Sequence, residues 1–148
     1  MAITFSYQID NFRLPDAERV RRWICKVIVE PSLQAIVAEY RVGSIGYLFC
    51  DDTYLLEANQ KYLNHDTYTD IITFDYVEGG LVSGDIMISV DRVGENASLF
   101  GVSFEQELHR VIIHGILHLL GQADKSEPEA AEMRNKENRA LKIWETMK

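Results

Sequence analysis

A chain of 148 residues, 47% hydrophobic and 26% charged, suits one globular domain (1–148) with a sizeable core. No apolar run approaches the ~20 residues that span a bilayer, and Met1 to Gln8 has no basic stretch before an apolar core, so no membrane helix or signal peptide is expected. A net charge of −8 argues against indiscriminate nucleic-acid binding, which goes with a basic surface.

In chain order, Ile3, Phe5, Tyr7 and Ile9 alternate with polar residues and predict a strand from Ile3 to Ile9. Pro15 and Asp16 open a helix that runs to about Glu30, where Pro31 ends it. On that helix Val20, Trp23, Ile24 and Val27 oppose Arg19, Arg22 and Lys26. With Arg13 and Arg21, these cations read equally as a solvated face or a phosphate-contacting patch. Ser32 to Ala38 is a weak helical segment. Ser44 to Cys50 is a second strand, and Asp51 and Asp52 cap a helix to about Lys61. Cys25 and Cys50 form no Cys-x-x-Cys pair and read as buried, reduced thiols of a cytoplasmic protein. Asp70 to Val77 is a third strand, broken by Gly79-Gly80, and Gly84 to Ser89 a fourth. Asp91 to Leu99 is a short helix. Ser103 with Gln106, and Ser126 with Glu129, are capping boxes for two more helices, the last reaching about Met147. The order β-α-β-α-β-β-α-α-α predicts an α+β fold: a single layer of mixed four-stranded sheet packed with helices, the apolar helix around His114 at its centre.

That helix carries the chemistry. His114 and His118 stand four apart and so share a face, in a run otherwise made of Val111, Ile112, Ile113, Ile116, Leu117, Leu119 and Leu120. Two buried imidazoles need partners, because an unsatisfied polar group costs roughly 1–3 kcal/mol. Gly121 can end the helix in a left-handed conformation and return the chain so that Asp124 meets both rings. Two imidazole nitrogens and a carboxylate, with a fourth position open, are the pattern of a catalytic zinc site, and the spacing parallels the metzincin signature. Metzincins place a general-base Glu directly after the first His. Gly115 stands there, which argues against a protease.

These residues resemble the YbeY family of metal-dependent endoribonucleases, also called rRNA maturation factors. The family motif His-Gly-x-Leu-His-Leu-x-Gly-Tyr-Asp-His corresponds to His114 through Asp124. Thr69-Asp70-Ile71-Ile72-Thr73-Phe74 is similar to the family's Thr-Asp-Val-Leu-Ser-Phe, Gly84-Asp85-Ile86 to its Gly-Asp-Ile strand, and Asn59 and Tyr62 fit the preceding helix. The likeness runs from Leu55 to Asp124. Two positions depart from the pattern. The family's third metal-binding His falls on Asp124, which can still ligate but makes the site less positive by one charge. Leu63 stands where family members usually carry an Arg that assists catalysis. Lys61 and Arg110 are the nearest cations in sequence to replace it.

The resemblance implies metal-assisted hydrolysis of an RNA phosphodiester, single-strand-specific, in maturation of the 16S rRNA 3′ end and ribosome quality control. His114, His118 and Asp124 would hold one Zn²⁺ or a similar divalent ion. Asp85 is read as an acceptor behind a ligand or a base, or alternatively as a plain strand-end residue. Asp70 reads as a turn residue. His65 and His109 fall outside the motif, His109 on another helix face. The expected partners are ribosomal RNA, ribosomal particles or assembly proteins, with the protein a monomer away from membranes. Two other readings stay open: a metal-dependent hydrolase of peptides or small amides, and a non-catalytic, zinc-stabilised ribosome-assembly factor.

Overall fold

The structure, a computed structural model, describes residues 2–65 and 67–147. Its elements in chain order are β1 (Ile3–Tyr7), α1 (Ala17–Ile28), a 3₁₀ turn (Pro31–Leu33), β2 (Arg41–Cys50), α2 (Asp52–Leu63), β3 (Ile71–Asp75), β4 (Leu81–Ser89), α3 (Val90–Phe100), α4 (Phe104–Leu119) and α5 (Glu127–Thr146). The sheet order is β1-β2-β4-β3. β1, β2 and β4 run parallel, with Phe5 opposite Tyr47 and Tyr47 opposite Ile86, and β3 pairs antiparallel to β4, Thr73 opposite Ile86. The fold is the α+β mixed sheet that the element order predicts.

Strand alternation divides the side chains between two cores. Ile45, Tyr47 and Phe49 of β2 and Val82, Ile86 and Ile88 of β4 face α1, α4 and α5 and share a core with Trp23, Ile24, Ile112, Ile116 and Trp144. On the other face Cys50, Ile72, Phe74 and Met87 form a smaller core with Leu55 and Ala58 of α2. Buried polar tips tie the layers together. The Tyr47 hydroxyl donates to the Ile112 carbonyl at 2.9 Å, and the Trp23 indole to the Ala140 carbonyl at 2.8 Å.

The differences from the sequence expectations have physical causes. β2 begins at Arg41, three residues early, and passes a register shift between Val42 and Ile45. β4 begins at Leu81 because Glu78 and Leu81 close a tight turn around Gly79 and Gly80, both at positive φ. The segment after Pro31 forms only the three-residue 3₁₀ turn, and residues 34–38 carry no helix. Cys50 is buried but Cys25 is exposed, because it lies off the apolar stripe of α1. Two of the cations around α1 serve the fold. The Arg19 guanidinium lies 3.9 Å from the Trp144 ring centre and donates to the Trp144 carbonyl, and Arg21 donates to the Ile3 carbonyl. No helix among the described residues is long and apolar enough to cross a membrane.

Candidate metal centre

Helix α4 is fixed at both ends. Ser103 and Gln106 complete a capping box at its start. Gly121, at φ 95°, turns the chain out after it, and the amides of Gly121 and Gln122 close on the carbonyls of His118 and Leu117. The middle of α4 lies on the sheet at Gly115, where an added Cβ would come within 2.9 Å of Ile86 Cδ1 and 3.2 Å of Ile71 Cδ1. Gly115 therefore occupies a close contact between backbone and sheet, and its side turns away from the cleft. A glutamate could not be housed there, so the missing metzincin base is a packing requirement as well as a chemical absence.

His114 and His118 stand on the cleft side of α4, one turn apart, with ring centres at 4.5 Å. The returning chain brings the Asp124 carboxylate to 3.3 Å from His114 Nε2 and 3.4 Å from His118 Nε2. That return is held by the buried Lys136 ammonium of α5, which donates to the Gln122 side-chain oxygen at 2.7 Å. All three ligand atoms lie within 4.8 Å of one another. Ligands ~2.0–2.2 Å from a tetrahedral ion are ~3.3–3.6 Å apart, so the two carboxylate–imidazole spacings suit such an ion. The opposite ring nitrogens are already committed. His118 Nδ1–H donates to the Gln122 carbonyl at 2.8 Å, and His114 Nδ1–H to Glu137 Oε2 at 2.6 Å. In these tautomers both Nε2 lone pairs face the carboxylate, an arrangement that a cation between them satisfies.

Charge around the site is dense. Burial works against a charged His114, but the hydrogen bond and charge of Glu137, with Asp124 and Asp70, outweigh it and hold that imidazole above its usual range. Burial, then the charge of His114, hold His118 below its own, against the pull of Asp124. Burial would raise Glu137, but its bonds from His114 and Arg110 keep the carboxylate low. Burial raises the carboxyls of two further cleft residues, Asp70 ahead of β3 and Glu107 two turns before His114 on α4.

The histidines line a cleft of about 900 Å³ between β3, α4 and α5, together with Asp70, Arg110, Asp124 and Arg134. Other residues singled out in the sequence are distributed differently. Arg110 lies in the cleft but is engaged, donating to Glu137 and Asn138 at 2.9 Å each. Leu63 lines the same cleft. Lys61 is exposed on α2 over the Tyr62 ring and is not among the cleft-lining residues. Asp85 points to the opposite sheet face, in a pocket with Thr4, Ser6 and Gly46, because β4 alternation sends its neighbour Ile86 to the α4 side. It does not reach the histidines, and Glu137 takes the acceptor position at His114 Nδ1. His65 lines the cleft but is not one of the three grouped ligands, and His109 is buried between Trp23 and Trp144. Asp70 lines the cleft.

Glu137 was not singled out in the sequence, though a signal existed. On α5 the apolar stripe of Met133, Ala140 and Trp144 includes Lys136 and Glu137 at the same helical spacing, and both are buried. Charged residues inside a packing stripe require dedicated partners.

Known proteins resemble this chain over most of its length. The family model described as endoribonuclease YbeY matches residues 5–145. Proteins named endoribonuclease YbeY are 48% identical over 142 residues in Flavobacterium psychrophilum, covering 96% of each chain, and 46% identical over 145 residues in Bacteroides thetaiotaomicron, covering 95% of this chain and 98% of that one. A solution structure of a Thermotoga maritima protein shares the fold, with a TM-score of 0.61 at 23% identity over 98% of this chain and 93% of that one.

Proposed function

The chain belongs to the YbeY family, and from that premise we propose that it is a metal-dependent endoribonuclease that cuts single-stranded RNA in maturation of the 16S rRNA 3′ end and in ribosome quality control. The observation that carries the chemistry is the convergence of His114 Nε2, His118 Nε2 and an Asp124 carboxylate oxygen at one wall of an open cleft. The relatives' name, endoribonuclease, supports RNA as the substrate. We take residues 1–148 as one YbeY-like domain, acting as a cytoplasmic monomer on ribosomal RNA within ribosomal particles or with their assembly proteins.

His114, His118 and Asp124 would hold one divalent ion, with Zn²⁺ favoured by the two imidazoles and one carboxylate. Such an ion supplies Lewis acidity and a bound water of lowered pKa. The protein's own groups do the rest. Glu137 and the Gln122 carbonyl orient the two imidazoles. Asp70 and Glu107 both line the cleft, Glu107 from the histidines' own helix, and burial makes each carboxyl hold a proton more readily than an ordinary acid. Leu63 cannot contact a phosphate and Arg110 is spent on Glu137, so Arg134, with a half-exposed guanidinium in the cleft, is the cation best placed to meet the RNA backbone. Lys125 lines the same cleft.

The test has two stages. Purified protein should contain about one zinc-like ion per chain, and His114→Ala with His118→Ala should abolish it. Unchanged metal content would refute the ligand set. The metal-replete protein should then cleave single-stranded ribosomal RNA, alone or within particles. A fully loaded protein that leaves such RNA intact would remove the nuclease reading and favour an assembly factor.

A further inference from the structure

We propose that Glu137 is the positioning residue of the metal centre, and that Arg110 acts on the centre only through Glu137. This rests on the reading of His114, His118 and Asp124 as metal ligands. The carboxylate has two oxygens, and each has one task. Oε2 receives His114 Nδ1–H at 2.6 Å, and Oε1 receives Arg110 Nη1 at 2.9 Å. The second arm of the guanidinium donates to Asn138 at 2.9 Å, which fixes the plane of Arg110 against α5. The Glu137 side chain is only 7% exposed, so its charge faces these partners and not water.

Geometry sets the direction of the relay. His114 projects from α4, and α4 is anchored to the sheet by the close contact at Gly115. The free variable is the rotation of the ring, and Glu137 removes it by binding Nδ1–H. That bond selects the tautomer whose Nε2 lone pair points at Asp124 and raises the basicity of that lone pair. Arg110, from the same helix as His114 and one turn earlier, stops Glu137 from rotating away. A glutamine has the same shape but one acceptor oxygen, so it cannot serve both partners. Arg134, 3.7 Å from Oε1 and half exposed, is a looser neighbour and remains available to the cleft.

The experiment measures cobalt(II) and zinc affinity, the visible spectrum of the cobalt(II) form and the melting temperature of the metal-free form. It compares wild type, Glu137→Gln, Arg110→Leu and the double variant. The wild type should bind one ion. Glu137→Gln should weaken binding about 10–100-fold and change the cobalt(II) spectrum. Arg110→Leu should weaken it by less, and the double variant should match Glu137→Gln. A Glu137→Gln protein that binds the ions as tightly as wild type, with only a lower metal-free melting temperature, would reduce Glu137 to a structural residue and overturn the inference. A double variant clearly weaker than Glu137→Gln would overturn the relay through Arg110. A wild type that binds no ion would fail the ligand reading itself. Should Glu137→Gln not fold, nitrogen-15 NMR of zinc-loaded wild type decides: a protonated, hydrogen-bonded His114 Nδ1 supports the inference, and a zinc-bound Nδ1 overturns it.

Discussion

Asp124 has the least secure hold on the proposed ion. The two histidines project from a helix that is packed on both ends, whereas Asp124 lies in the turn between α4 and α5 and depends on Lys136 holding Gln122. Removing its carboxylate takes away both a ligand and a negative charge nearly equidistant from the two imidazoles, at 3.3 and 3.4 Å. Asp124→Ala should therefore lower zinc affinity at least tenfold in equilibrium dialysis, while Asp124→His should retain binding, because imidazole nitrogen ligates zinc at a similar distance. The histidine pair and the acid were legible in the sequence because helical spacing and a helix-ending glycine are local rules. The stripe of α5 marks Glu137 as buried, but its partner His114 and the displacement of Asp85 were not legible, because each depends on which strand or helix lies opposite.

At the level of elements, α4 mediates between sheet and cleft, and its two faces make opposite demands. Toward the sheet it needs Gly115. Gly115→Glu would force a carboxylate between Ile86 and Ile71, combining overpacking with an unpaired buried charge, and should cost about 3 kcal/mol or more in urea unfolding without creating peptidase activity. Toward α1 and α5 it presents His109, whose ring centre lies 4.2 Å from that of Trp144 and 5.5 Å from that of Trp23. Burial holds this imidazole below its unfolded value of 6.5, with the charge of Arg19 adding to the effect and those of Glu105 and Asp16 opposing it. A histidine whose folded pKa is depressed binds fewer protons folded than unfolded, so its contribution is complete above the unfolded value and is lost as pH falls below it. The slope between the two values cannot exceed about 1.4 kcal/mol per pH unit. The urea midpoint of wild type should thus fall relative to that of His109→Phe as pH falls from 7.5 to 5.5, and parallel curves would refute the assignment. Element types followed closely from alternation, capping boxes and prolines. The starts of β2 and β4 did not, because strand pairing extends them through residues whose own pattern is weak, Arg41 to Gly43 and Leu81 to Ser83.

For the whole molecule, the question is how a chain of net charge −8 meets a polyanion. The global field repels RNA, so attraction has to be local, and it has to be at the cleft. The cations there are unequal. Arg110 is neutralised by Glu137, whereas Arg134 keeps a half-exposed guanidinium and Lys125 sits beside Asp124. The cations of α1 are partly consumed by the fold, Arg19 on Trp144 and Arg21 on the Ile3 carbonyl. Binding of a short single-stranded RNA should therefore be weak and should fall with salt with a shallow slope, since each neutralised phosphate contributes about −0.7 for a single strand. Arg134→Ala should weaken binding similarly for all sequences and flatten the slope by about 0.7, with metal content unchanged. Lys26→Ala, on α1 and outside the cleft, should leave both affinity and slope as they are. If the two substitutions change the slope equally, RNA lies on a surface other than the cleft.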